Sequence, residues 1–216
     1  MSGYITFHFD DGFTSHYEKV FPLFERFGKK ACISLLANND IGMGFARALE
    51  MQKHGFEIMC HSVTHPKMYA ELPEETAWRE LVSSKKILAK AGFDIRTFVT
   101  PCSALADKYL PLAKENYDAA FTVYRDSLTE PAENLVMEKP ADLYLLHRCC
   151  LSGKSRDELR AYVDYVEKTD SWLVFYEHDI GTGQNVTEEG LSELLSYISQ
   201  TSVSVLTTSQ MTDIVK

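Results

Sequence analysis

Residues 3–21 read GYITFHFDDGFTSHYEKVF. A strand-like run, Ile5–Phe9, ends on two adjacent carboxylates, Asp10 and Asp11, and then on Gly12. A helical spacing comes next over Ser15–Phe27, with Tyr17, Val20, Phe21 and Phe24 on one face. Strand, acidic turn and helix make one βα unit, and the rest of the chain repeats it. Strand-like runs at Lys30–Leu36, Phe56–Cys60, Arg96–Val99, Ala119–Val123, Leu143–His147, Trp172–Tyr176 and Val203–Leu206 alternate with helical ones. The helical runs are Phe45–His54, closed by Gly55, then Glu74–Ala91 after Pro73, Leu105–Asn116, Ser155–Lys168, Glu188–Ser199 and a closing Ser209–Val215. Connections this short demand parallel strands joined by right-handed crossovers. The expectation is one α/β domain over residues 1–216, built as an open doubly wound sheet or a barrel. Tyr124–Lys139 is an irregular excursion from it.

At 216 residues and 45% hydrophobic, the chain can bury a core without disulfide staples. Its five cysteines, Cys32, Cys60, Cys102, Cys149 and Cys150, follow no framework or CxxC spacing. They read as reduced thiols in a reducing compartment. No apolar run reaches membrane length, and strand pattern begins at Gly3 where a signal peptide would begin otherwise. The expectation is a cytoplasmic protein, the alternative being one whose leader has been trimmed. The net charge of −9 argues against nucleic acid and anionic membranes as partners.

Chemistry-bearing residues gather just after the strands. Asp10 and Asp11 follow the first, and Asn38, Asn39 and Asp40 the second. His61 follows the third, with His65 four residues on. Thr100 and Pro101, His147 and Arg148, and Glu177, His178 and Asp179 follow later ones. Parallel sheets and barrels build their sites at these carboxyl ends. In CHSVTHP, residues 60–66, two β-branched residues and Pro66 disfavour a helix, but a turn can aim both imidazoles at one ion. Two imidazoles and a carboxylate, from Asp10 or Asp11, suit zinc, iron, cobalt, nickel or manganese. The remaining aspartate is then a base and His178 an acid, and the reaction class is metal-assisted hydrolysis. Taken singly, the histidines also read as a surface turn and the aspartates as a helix cap. A non-haem iron oxygenase would use the same ligand set, but that class favours an all-β fold and needs neither His178 nor a second aspartate.

TFHFDDG at 6–12, HSVTH at 61–65 and WLVFYEHDIG at 172–181, in this order, resemble the polysaccharide deacetylases of the NodB-homology group. The resemblance implies a distorted (β/α) barrel of about seven parallel strands. It implies removal of acetyl or similar acyl groups from N- or O-acylated sugars, with one divalent metal ion, zinc first and Co2+, Ni2+, Mn2+ or Fe2+ otherwise. Carried over, Asp10 is the base, Asp11, His61 and His65 the metal ligands and His178 the acid. The substrate is then a small molecule or an oligosaccharide, and the oligomeric state stays open. The third motif departs from the family: FVTPCSA, residues 98–104, has Val99 where an arginine is common and Cys102 where an aromatic is common. The Cys102 backbone N–H can still serve an oxyanion, and Arg148 is the candidate for the missing guanidinium, with an ordinary surface arginine as the alternative reading. Phe13, Tyr69, Tyr124 and Trp78 are candidates for a sugar-facing aromatic, Trp78 alternatively packing its own helix. The altered motifs also leave room for a lapsed enzyme that binds a glycan or a partner.

Overall fold

A computed structural model of the chain describes residues 3–38, 42–66, 72–102, 105–122, 131–138 and 141–215. Seven parallel strands curl into a distorted barrel in the order β5-β4-β3-β2-β1-β7-β6. They are β1 (Tyr4–Phe9), β2 (Cys32–Leu35), β3 (Glu57–Cys60), β4 (Thr97–Val99), β5 (Ala119–Phe121), β6 (Cys149–Cys150) and β7 (Trp172–Glu177). A short β8 (Ser204–Val205) pairs with Tyr4 and Ile5 of β1, while β2 pairs with His8 and Phe9 further along. The first strand is therefore central, paired with β7 along its whole length.

Alternation along β1 sorts its residues between two cores. Ile5, Phe7 and Phe9 join the outer core between sheet and helices, where Phe7 meets Phe24 edge-on at 5.3 Å. Thr6, His8 and Asp10 face inward. Thr6 accepts from the Trp172 indole N–H (3.0 Å), and His8 stands edge-on to Phe121 at 4.5 Å. Cys32, Met59, Val99, Phe121, Trp172 and Val174 fill the barrel interior. Met211 and Val215 of the last helix, α9 (Thr208–Val215), pack into the same interior.

The helical layer keeps the expected order, with α1 (Phe21–Arg26), α2 (Gly44–Lys53), α3 (Glu74–Trp78), α4 (Ser84–Lys90), α5 (Leu110–Asn116), α6 (Ala132–Leu135), α7 (Arg156–Thr169) and α8 (Glu188–Ile198). Two of these helices depart from regularity. A π turn, His16–Val20, precedes α1, and another, Arg79–Ser83, joins α3 to α4. Serine at 155 caps α7 with a complete capping box to Glu158. The strand expected at Leu143–His147 is absent, and β6 begins only at Cys149. Asp142 is the reason: its carboxylate accepts from Tyr144 N–H (2.9 Å) and its carbonyl from Leu145 N–H (3.1 Å), which fold the run into a turn. Leu143 and Leu146 still reach the interior core. Within the excursion at 124–139, residues 132–135 form α6; the strand end at Val123 lies outside the described residues. No helix among the described residues is long and apolar enough to cross a membrane.

Candidate active site

The chemistry predicted at the strand ends converges on one mouth. Asp10 leaves β1 with its backbone N–H bonded to the Glu177 carbonyl (2.9 Å) and its side chain turned inward, 1% exposed. Its Oδ1 accepts from Ser34 Oγ, and its Oδ2 from Arg148 Nη1 at 2.6 Å. Burial alone would push this carboxyl up. The Arg148 guanidinium, helped by the nearby His61 and His178 imidazoles and the Ser34 hydroxyl, outweighs it and holds Asp10 well below the usual carboxylate range. Arg148 is itself fixed, its guanidinium 4.4 Å from the Tyr176 ring centroid and 5.9 Å from that of Phe121. Arg148 thus reaches Asp10 from the segment before β6, while Val99 of β4, where the family's arginine was expected, packs into the core.

Asp11 turns the other way. Its Oδ1 is buried with no hydrogen-bond partner, 3.5 Å from His61 Nε2 and 3.4 Å from His65 Nε2. The ligand atoms of these three residues lie within 4.8 Å of one another. His61 Nδ1–H donates to the Val99 carbonyl (2.8 Å), which leaves the Nε2 lone pair facing Asp11. An orphaned carboxylate oxygen between two aimed imidazole nitrogens fits a divalent cation. Its three donors come from two strand ends.

The backbone is strained where these groups are presented. Asp11, Ser62, His65 and Cys102 adopt φ values of +72°, +68°, +54° and +54°. Left-handed backbone at non-glycine residues is uncommon and gathers at functional sites. Gly12 (φ +74°) holds a backbone conformation that any side chain would strain, and a Cβ there would also come within 2.7 Å of Leu35 Cδ2, which would have to shift.

On the β7 side, His178 places its ring 5.9 Å from that of Tyr176. Its N–H donates to Glu177 Oε1 (2.9 Å), and its carbonyl accepts from His16 Nε2–H (2.8 Å). Asp179 accepts from Ser15 Oγ (2.5 Å) and Ile180 N–H (3.0 Å), so it secures the loop. Glu177 accepts from Ser152 Oγ (2.8 Å) and Val186 N–H (3.0 Å). Cys102 sits at the rim with Sγ 3.8 Å from His65 Nδ1. Of the aromatics, Phe13 meets His16 edge-on at 5.8 Å. Trp78 is not packed as a helix core residue: it is 44% exposed, under the Lys86 ammonium. Tyr69 and Tyr124 lie outside the described residues, as do Asn39 and Asp40.

Three residues of this constellation escaped the sequence reading. Ser34 had a signal, a lone polar side chain inside the apolar strand ACISLL at 31–36. His16, and Glu80 beneath the histidine loop, had none, since both read as ordinary helix positions.

The sequence model of the polysaccharide deacetylase family matches residues 2–119. The protein YxkH of Bacillus subtilis (strain 168), named for the same family, is 27% identical over 163 residues. That match takes in 72% of this chain but about half, 54%, of YxkH. Among solved structures, the peptidoglycan N-acetylglucosamine deacetylase Bc1960 superposes with a TM-score of 0.70 at 16% identity, over 98% of this chain and 91% of that one. The wild-type CE4 family pseudoenzyme BA3943 from Bacillus anthracis gives 0.67 at 14% identity, over 98% and 66%. At these identities the structural likeness is one of fold.

Proposed function

The chain belongs to the polysaccharide deacetylase family, and from that premise we propose that it is a metal-dependent hydrolase removing an acetyl or similar acyl group from an N- or O-acylated sugar. The observation that carries this reading is the pairing of an ionised, Arg148-bound Asp10 with the orphaned Asp11 oxygen facing His61 and His65. Asp11, His61 and His65 would hold one divalent cation, zinc first. When bound, the cation supplies Lewis acidity that makes water a nucleophile near neutral pH.

The chain's own residues do the rest. Asp10, kept charged by Arg148 and oriented by Ser34, takes a proton from the attacking water. The backbone N–H of Cys102 steadies the negative charge that grows on the acyl oxygen. His178, steadied through its backbone by His16 and Glu177, gives a proton to the leaving amine or alcohol. The products are acetate and a free amino or hydroxyl group. Residues 1–216 are read as one such catalytic domain, and five free cysteines support a reducing, cytoplasmic setting.

A lapsed glycan-binding module is the second reading, raised by the pseudoenzyme among the structural neighbours. A small non-sugar amide is the alternative substrate. The deciding measurement is acetate release from chito-oligosaccharides and acetylated xylan, with and without chelator. Wild type is expected to release acetate only without chelator, and Asp10→Asn to lose at least about 100-fold in kcat while keeping its metal stoichiometry. Full activity in Asp10→Asn would remove Asp10 as the base. Binding without turnover would leave the lapsed module.

A further inference from the structure

The two imidazoles of the candidate metal centre sit on a loop whose fold is not self-supporting. Ser62 and His65 both have left-handed backbone, and the stretch between them is Val63–Thr64. One carboxylate lies beneath that stretch. Glu80 is 0% exposed, and its Oε2 accepts from the backbone N–H groups of Val63 (2.8 Å) and Thr64 (2.9 Å). Its Oε1 accepts from Thr64 Oγ1 (2.9 Å) and from Arg79 Nη2 (3.2 Å). A buried carboxylate is costly unless its oxygens are satisfied, and here the loop supplies three of the four donors. Serine at 62 closes the turn, its Oγ accepting from His65 N–H at 3.1 Å.

The helix is shaped for this contact. Glu80 lies in the π turn Arg79–Ser83. One extra residue in a helical turn rotates the segment before it by about 100° relative to the segment after it. Leu81 and Leu88 can thus face the core while Glu80 is directed at the loop. Ser84 ties the turn down, its Oγ donating to the Glu80 carbonyl (2.7 Å).

We propose that Glu80 is a positioning residue for the metal centre: its buried carboxylate locks the 62–65 loop in the strained form that turns His65 toward His61 and Asp11. It touches neither substrate nor cation and acts through the loop. This inference rests on the metal-centre reading above, and the experiment separates the two. Zn2+ affinity is measured by competition with a chromogenic chelator for wild type, Asp11→Ala, Glu80→Ala and Glu80→Gln, alongside the thermal midpoint of each in chelator. Wild type is expected to bind one Zn2+ and Asp11→Ala to lose it. Glu80→Ala is expected to weaken binding by about 10–100-fold, the range for removal of an outer-shell partner. Glu80→Gln, whose amide oxygen still accepts from both N–H groups, is expected to weaken it by a smaller factor of about three or more. A merely structural role would lower the midpoint in chelator and leave the Zn2+ dissociation constant where it was. Should Glu80→Ala not fold, the glutamine variant decides, and a loss below about threefold overturns the proposal. If wild type binds no Zn2+, or Asp11→Ala binds it as tightly, the metal-centre reading itself falls and takes the brace with it.

Discussion

Buried histidines set a measurable pH dependence here, and His16 sets the clearest. It is 0% exposed, and its Nε2–H is committed to the His178 carbonyl at 2.8 Å. Its Nδ1 is buried with no partner, so a second ring proton would have no acceptor. Burial pulls its pKa from 6.5 to about 4, against the opposing pull of the His178 carbonyl and the carboxylates of Asp10, Asp11 and Asp179. The unfolded chain therefore takes up a proton near pH 6.5 while the folded chain takes it up only near pH 4. Between the two, the unfolded state binds more protons and stability rises with pH. This contribution is whole above 6.5, is lost as pH falls toward 4, and then levels off. At about 1.4 kcal/mol per unit the loss is about 3 kcal/mol. Urea unfolding of wild type and His16→Gln, both in chelator, isolates it from the carboxylates that titrate in the same range. The stability of wild type relative to the variant should fall by about 3 kcal/mol between about pH 7.5 and about pH 4. Parallel profiles would refute the reasoning, because they would mean that His16 titrates alike in both states.

Arg148→Ala leaves the Asp10 carboxylate buried without its cation, which is expected to cost about 3–5 kcal/mol in denaturant unfolding at neutral pH. In the same variant kcat should fall with KM little changed, because Asp10 loses its orientation rather than the substrate its contacts; an unchanged kcat would show that Arg148 is not what holds the base. Zn2+ at about 100 times its dissociation constant should stabilise the fold by about 2.7 kcal/mol, read as a thermal shift reversed by chelator. Asp11→Ala should show no such shift.

What the sequence disclosed and what it hid divide along a physical line. The mouth was legible because β1 alternates and because parallel strands deliver polar residues to one edge. Asp10, Asp11, His61, His65 and His178 all follow such ends, whereas Arg148 enters the mouth from the segment just before β6. Arg148 could be named only as one of two even readings, a replacement guanidinium or an ordinary surface arginine, because the strand thought to end at His147 does not form; its side chain nevertheless reaches Asp10. The run Leu143–His147 misled because its apolar content is real, with Leu143 and Leu146 in the core, while the turn depends on one carboxylate, Asp142, bonding two residues on. The π turns were illegible for another reason. Over five residues, a π turn and an α turn differ by one position, and the apolar spacing of RELVS at 79–83 serves either. Glu80 accordingly reads as a solvated helix acid, when it is among the most buried carboxylates in the chain.

The groups proposed to react are carried on loops, and the loops that bear His65 and His178 are held from beneath by buried polar side chains. Glu80 holds the turn that ends in His65, and Glu177 holds both the His178 N–H and Val186 across the β7–α8 loop. His16 adds a second hold on His178 from the other π turn. Left-handed residues cost of the order of 1 kcal/mol or more each, and loops of this length have little apolar contact with which to offset it. Charge-assisted hydrogen bonds to backbone N–H groups are the remaining source of that stabilisation, and they are strong only where water is excluded. The anchors must therefore be buried on the side away from substrate, as Glu80 and Glu177 are at 0% exposure.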